Sequence, residues 1–253
     1  MIPCVLIPVY NHERAVGRVV AAVRGAGLAC ILVDDGSSLE CARVLDALAA
    51  SDPKITLVRL QRNRGKGGAV TAGFEAACAA GFTHALQIDA DGQHTLADIP
   101  RFIAEAGAHP GSIICGRPVF DASIPGSRRY GRLFTHALVW LWTLSLSIPD
   151  AMCGFRVYPL APIAALLKRV RLGSRMDFDV DILVRLYWER IPMRWIDTKV
   201  TYPIDGVSHY DMLRDNLRMA RLHAKLLIEF LPRLPQLLHA QADAAGKRPP
   251  LRS

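Results

Sequence analysis

The chain has no C-x-x-C spacing, no uncharged run long enough for a bilayer, no glycine in the turn after its first strand-like segment, and a shortage of acid. Each absence closes a class of function. Six cysteines (Cys4, Cys30, Cys41, Cys78, Cys115 and Cys153) are scattered, mostly inside apolar segments, which argues for reduced, buried thiols rather than a disulfide framework or zinc site. The stretch from Leu133 to Ile148 lacks a formal charge but would span only about 24 Å as a helix, short of a hydrocarbon core of about 30 Å. The start of the chain has no basic segment, long apolar stretch or cleavage site of a signal peptide, so a cytoplasmic protein is expected. Lys and Arg number 31 against 23 Asp and Glu, a net charge of +8, so acidic partners are expected: nucleotide diphosphates, nucleic acid or anionic lipid. Aromatics are only 7% and do not interleave with the basic residues, which disfavours nucleic acid.

Half of the residues are apolar (51%) and 21% are charged, enough to bury a core. Strand-like runs alternate with helix-like ones. Strands are predicted at Ile2 to Val9, Ala29 to Asp34, Ile55 to Leu60, Thr83 to Ile88, Ser112 to Cys115 and Met193 to Tyr202. Helices are predicted at Glu13 to Ala26, Leu39 to Ala50, Gly67 to Ala80, Leu96 to Ala106, Leu133 to Ile148, Asp177 to Arg190 and Asp211 to Leu231. Such alternation specifies an α/β fold, a mainly parallel sheet flanked by helices. The expected organisation is a domain over residues 1–210, divided near Gly116 where Pro118, Pro125 and Gly126 break the pattern. A basic amphipathic helical segment over 211–240 and a disordered polar tail over 241–253 follow.

Ligands of such sheets gather at the carboxyl ends of the strands. The sequence's unusual loops all fall there: Pro8 to Glu13, Asp34 to Ser37, Asn63 to Gly68, and Asp89 to His94. Asp89 and Asp91 project to one side of a strand end, and at about 6 Å and an effective dielectric of about 20 they repel by roughly 3 kcal/mol. A hard divalent cation completed by phosphate oxygens would relieve that repulsion; the bland alternative is an acidic solvated turn. A dinucleotide-binding Rossmann fold needs glycines directly after the first strand, where this chain has Pro8-Val9-Tyr10-Asn11. Gly65-Lys66-Gly67-Gly68 comes after the third strand instead, without the spacing of a P-loop, at a helix start suited to phosphate or sugar hydroxyls.

Taken in order, the segments IPVYNHE, VDDGS, NRGKGGAVTAG, DADGQH, CGFRVYP and YPIDGVSHY make the chain resemble glycosyltransferase family 2 over most of residues 2 to 210. The resemblance is strongest to the branch of dolichyl-phosphate mannosyltransferases and undecaprenyl-phosphate sugar transferases. It implies the GT-A fold, a nucleotide-diphosphate sugar donor (UDP- or GDP-sugar), a lipid-linked acceptor such as polyprenyl phosphate, inversion at the anomeric carbon and Mg²⁺ or Mn²⁺ as cofactor. It also implies that Pro8, Tyr10, Asn11 and Glu13 line the nucleotide site, that Asp34 meets the base and that Asp35 supports the turn. Lys66, Gly67 and Ala90 would approach the donor. Asp89, Asp91 and Gln93 would hold the metal, with His209 as a further metal or phosphate ligand in a closing loop. Asp179 or Asp181, in the run Asp177 to Asp181, would serve as an acceptor-side acid or base, against helix capping as the plain alternative. Arg156 would hold a phosphate or pair with an acidic neighbour.

Two departures bear on the acceptor. Ile204 and Asp205 stand where the polyprenyl-phosphate branch often has an arginine, and the C-terminal transmembrane helices common in that branch are not found. The alternatives are a hydroxyl or carboxyl acceptor on a non-isoprenoid lipid or pigment, and a non-catalytic nucleotide-binding module at a membrane surface. Two segments bear on peripheral attachment to the inner face of the plasma membrane. The Leu133 to Ile148 helix is either interfacial, with Trp140 and Trp142 at headgroup level behind Arg128, Arg129 and Arg132, or ordinarily buried. The last helix sets Arg214, Arg218, Arg221 and Lys225 beside a stripe of Leu213, Leu217, Ala220, Ala224, Leu227 and Leu231.

Overall fold

The structure, a computed structural model, describes residues 1–119, 126–200 and 212–239. Its strands are β1 (Pro3–Val9), β2 (Ala29–Asp34), β3 (Ile55–Arg59), β4 (His84–Gln87), β5 (Ile113–Val119), β6 (Arg156–Pro159) and β7 (Met193–Lys199). Between and after them run α1 (Glu13–Gly25), α2 (Leu39–Ser51), α3 (Lys66–Ala79), α4 (Ile99–Ala108), α5 (Gly126–Thr143), α6 (Leu160–Leu167), α7 (Phe178–Trp188) and α8 (Met212–Phe230). The strands form one sheet in the order β3-β2-β1-β4-β6-β5-β7. Only β6 runs against its neighbours, pairing antiparallel with both β4 and β5. The expected mainly parallel α/β sheet is therefore what the chain forms.

Side-chain alternation along β1 feeds two cores, one on each face. Cys4 and Leu6 point into a cluster with α3, α6 and α7, whereas Val5, Ile7 and Val9 meet α1, α2 and α4. Gly73 shows how tightly α3 lies on the sheet: a Cβ there would sit 1.9 Å from Leu6 Cδ1. The buried cysteines belong to these cores, and burial pushes the thiols of Cys4, Cys30, Cys115 and Cys153 up to about 12.

Several expected boundaries move for physical reasons. β5 runs through Gly116 to Val119, so the division placed near residue 116 falls inside a strand of the common sheet. Past Cys115 it pairs only with β7, and that one-sided edge accommodates Pro118. β6 and α6 were not expected, because four residues headed by an arginine carry no strand period. α5 starts at Gly126 rather than Leu133 and stops at Thr143, where Leu144 takes a left-handed φ of 49°. Trp142 is a core residue, 5% exposed, donating from Nε1 to His223 Nδ1 on α8 at 2.9 Å. Trp140 is half-buried and donates to the Ile148 carbonyl at 2.8 Å. Trp142 thus takes the ordinarily buried alternative, while Trp140 is only half-buried.

The last helix buries Leu222, Leu226 and Phe230, while Leu213, Leu217, Leu227 and Leu231 of the apolar stripe face outward. Among the described residues no helix is long and apolar enough to cross a membrane. The 241–253 tail, His209 and the YPIDGVSHY segment lie outside the described residues.

Candidate active site

The strand order reverses between β1 and β4, since β2 and β3 lie on one side of that pair and β6, β5 and β7 on the other. A crevice opens at the carboxyl ends of such a pair. Residues 8–13 leave β1 there, with Asn11 at a left-handed φ of 55°. Asn11 is fixed by its amide donating to Ser37 Oγ at 3.2 Å and its side-chain oxygen accepting the Ser38 amide at 2.7 Å. Pro8, Tyr10 and Glu13 are half-buried along this edge. Glu13 Oε2 and Asn63 Oδ1 are buried acceptors without a hydrogen-bond partner.

Asp35 takes the Arg64 and Gly65 amides on its two oxygens at 2.6 and 2.8 Å, fixing the turn that starts α3 at Gly65. Burial raises its carboxyl above the usual range in spite of these bonds. That turn delivers Lys66 to the centre of the site. Its Nζ lies 2.9 Å from Asp89 Oδ1, at the end of β4, and 2.9 Å from Asp179 Oδ2, in the first turn of α7. Burial opposes the ammonium charge, but Asp179 and then Asp89 outweigh it and hold Lys66 well above the ordinary lysine range. Asp89 responds in the opposite sense: burial disfavours its charge, yet Lys66 and His94 keep the carboxyl far below the usual range. Space at this junction exists because residue 154 is glycine. A Cβ there would meet Lys66 Nζ at 2.6 Å, Gln87 Nε2 at 2.9 Å and Asp89 Oδ2 at 3.2 Å.

Asp91 behaves as a carboxylate short of a cation. Burial first, and then the charge of Asp89, raise its pKa, while one oxygen accepts the Gln93 amide at 2.9 Å. Among the described residues no three His, Cys, Asp or Glu side chains cluster to enclose a metal unaided. Asp91, the Gln93 side-chain amide and Asp89, which also pairs with Lys66, would offer oxygen donors only, a chemistry suited to Mg²⁺ or Mn²⁺ if ligand oxygens complete the shell. The residues present thus fit a metal shared with a phosphate-bearing ligand.

Other predicted residues are placed differently. Asp34 is 1% exposed, and its oxygens accept from the Ser37 amide at 2.9 Å and Arg59 Nε at 3.0 Å, so it braces its turn rather than facing the crevice. Gly67 approaches protein, not open space: a Cβ would lie 2.3 Å from the Gly173 carbonyl oxygen and 2.5 Å from Phe178 Cβ. Ala90 is buried. Arg156 is wholly buried and donates to Tyr158 Oη and to the Asp179 and Ala151 carbonyls at 2.8–3.1 Å, with Asp179 Oδ1 3.9 Å away, so of its two expected roles it pairs with an acidic neighbour, anchoring α7 from beneath instead of reaching a phosphate. Asp181 pairs with Arg185 Nε at 2.5 Å and accepts the Gly173 amide at 2.9 Å, away from Lys66. Of the two α7 carboxylates expected at the acceptor side, only Asp179 joins Lys66.

Two members of the site were not singled out from the sequence. Gln87, the last residue of β4, donates to Asp179 Oδ1 at 3.4 Å. His94 is 8% exposed, 3.4 Å from Asp89 Oδ2 through Nε2, with its ring 5.2 Å from the Phe155 ring. A polar residue at the end of the apolar run Ala85-Leu86-Gln87 was the available signal for the first. Nothing comparable marked the second, whose partners come from the fold.

The fold and this crevice define a mainly parallel α/β domain with a charged site at the switch point of its sheet. A profile of "Glycosyl transferase family 2" matches residues 4–169, and the chain belongs to that family. Over 211 residues it is 28% identical to a dolichyl-phosphate beta-glucosyltransferase of Dictyostelium discoideum, covering 79% of this chain and 63% of that protein. An undecaprenyl-phosphate mannosyltransferase of Micrococcus luteus is 27% identical over 208 residues, 78% of this chain and 82% of the relative. Among solved structures, glucosyl-3-phosphoglycerate synthase from Mycobacterium tuberculosis, in complex with Mn²⁺, UDP-glucose and phosphoglyceric acid, superposes with a TM-score of 0.67 at 14% identity. It covers 90% of this chain and 79% of that one, and it shows the shared GT-A-type fold.

Proposed function

We propose that the protein transfers a sugar from a nucleotide-diphosphate donor to a lipid-linked phosphate acceptor at the cytoplasmic face of the plasma membrane, with Mg²⁺ or Mn²⁺ as cofactor. The observation that carries the reading is the half-buried Lys66 ammonium held between Asp89 and Asp179 at the switch point of the sheet. The names of the two curated relatives supply the class of acceptor.

In the transfer, the bond between the anomeric carbon and the β-phosphate oxygen breaks and the nucleoside diphosphate departs with the bonding pair. An acceptor phosphate oxygen forms the new bond from the opposite face, which inverts the centre. Asp89, Asp91 and Gln93 would hold the cation, which when bound neutralises the diphosphate and stabilises the leaving charge. Lys66 contributes a second fixed positive charge, kept protonated by its two carboxylates. Glu13 Oε2 and Asn63 Oδ1, acceptors without partners, suit the N–H and O–H groups of a nucleoside. Both Asp179 oxygens are engaged, by Lys66 and Gln87, so this carboxylate is a positioning group here. That favours an acceptor that arrives ionised over a hydroxyl, which needs a general base. Peripheral attachment is supported by exposed Leu213, Leu217 and Ile228 on α8, by Leu231 just after it, and by exposed Leu133 and Phe134 on α5.

Calorimetry with UDP and GDP, with and without Mn²⁺, tests the donor site. Metal-linked nucleotide binding that falls at least tenfold in Asp91→Ala is expected. A folded Asp91→Ala protein with unchanged binding, or a wild type without metal-linked binding, would sink the reading in favour of a non-catalytic module.

A further inference from the structure

A second cluster of charge lies behind α7, outside the donor crevice. The loop after α6, the first turn of α7 and one face of α8 line an open cavity of about 210 Å³. Its wall carries four cationic side chains, Arg171, Arg218, Arg221 and Lys225, against the carboxylates of Asp177 and Asp181. The carboxylates are committed elsewhere: Asp181 to Arg185 and the Gly173 amide, Asp177 to the Arg175 amide at 2.9 Å. Arg218 pairs with Asp215 at 2.7 Å. Lys225 Nζ donates to the Arg171 carbonyl at 2.9 Å, which pins the ammonium at the loop. Arg171, Arg221 and Lys225 make no ion pair with a described residue. Arg218, Arg221 and Lys225 stand three and four residues apart, where like charges repel along a helix.

Four cations against two carboxylates at a small concavity, with Arg171 and Arg221 in no ion pair with a described residue and Lys225 balanced only at longer range by Asp181 and Glu229, match the chemistry of a phosphate group, which guanidinium forks bind bidentately. The volume is below the roughly 300–1,000 Å³ of clefts that bury drug-sized ligands, so a phosphate or a single headgroup fits better than a nucleotide. We propose that this cavity is a second anion site, taking a phosphate monoester or diester, separate from the donor crevice. It does not depend on the donor reading, because none of its four cations touches Lys66, Asp89 or Asp91. It is joined to the start of α3 through one turn: Gly173 lines the cavity, and the next residue, Ser174, accepts the Gly68 amide on its carbonyl at 2.9 Å. Occupancy is therefore placed to steady the α3–α7 junction that positions Lys66 and Asp179. Outward-facing Leu217 borders the basic face of α8, which sets the cavity beside apolar surface of the kind that meets a bilayer.

The test uses the full chain and the double variant Arg171→Gln/Arg221→Gln, with Arg43→Gln/Lys54→Gln as a control for net charge on a distant exposed surface. Inorganic phosphate is titrated by ³¹P line broadening without divalent metal, and vesicles of phosphatidylcholine with and without phosphatidylglycerol are titrated by co-sedimentation. A tenfold weakening in the pocket variant alone is expected. Confined to the phosphate arm, it assigns free phosphate; in the vesicle arm, a lipid headgroup. Equal loss in the control variant, or no loss in either arm, overturns the site.

Discussion

Adding one methyl group at Gly154 should disable the site while leaving the fold in place. Gly154 has no left-handed backbone, so Gly154→Ala is a question of space alone. To reach ordinary van der Waals contact at 3.4 Å from a Cβ now 2.6 Å away, Lys66 Nζ must withdraw by about 0.8 Å. Both of its ion pairs start at 2.9 Å, and stretching each by that amount at an effective dielectric of about 20 forfeits roughly 1 kcal/mol per pair. Overpacking at such a point costs about 1–3 kcal/mol in stability, well within what a domain tolerates. Displacement of a catalytic charge by about 1 Å can reduce turnover about 100-fold. The assay is release of nucleoside diphosphate with the donor identified from UDP-, GDP- and dTDP-sugars, read beside a circular-dichroism melt. Turnover within threefold of wild type in a folded Gly154→Ala protein would refute the central role given to Lys66.

The same substitution elsewhere should act in the opposite direction. At Gly17, inside α1, a Cβ meets nothing within 4 Å, so Gly17→Ala should raise stability by about 0.5–1 kcal/mol in a denaturant melt without altering turnover. His223 provides the pH dependence: burial holds its pKa below the ordinary 6.5, and Nδ1 is already accepting from Trp142. Its contribution is present above the unfolded value of about 6.5 and is lost as pH falls below that value toward the folded one. The melting midpoint should drop between pH 7.5 and 5, and His223→Gln, which keeps an acceptor but does not titrate, should flatten part of that drop. His136, also lowered by burial, carries the remainder.

The first four strands and their helices were legible because apolar period and turn chemistry agree along residues 3–108. Asp89, Asp91 and Lys66 were legible for a related reason, since loops at the carboxyl edge of a parallel sheet converge wherever they lie in sequence. The α7 carboxylates were less so: Asp179 and Asp181 are two residues apart, and only the helical turn sends one to Lys66 and the other to Arg185. For Arg156 the sequence left a phosphate or an acidic neighbour open, and the fold decides for the second by bringing Asp179 and the Asp179 and Ala151 carbonyls to it. The segments of α5 and α8 each left two readings open, because amphipathicity gives a helix an apolar side without saying what covers it: Trp142 is covered by α8, whereas Leu213 and Leu217 stay exposed.

The four residues of β6 have a consequence for how the chain reaches this state. Until they arrive, β4 has β1 on one side and an unpaired edge on the other, and the segment that caps it begins only at residue 156. During synthesis, the first hundred or so residues can collapse as a parallel βα unit, but they do so with an open strand edge at the future catalytic centre. Such edges pair promiscuously with other chains. The step that completes the sheet beside Asp89 is thus also the step that covers the open edge of β4, and slow closure of β6 would register as poor yield before any defect in turnover.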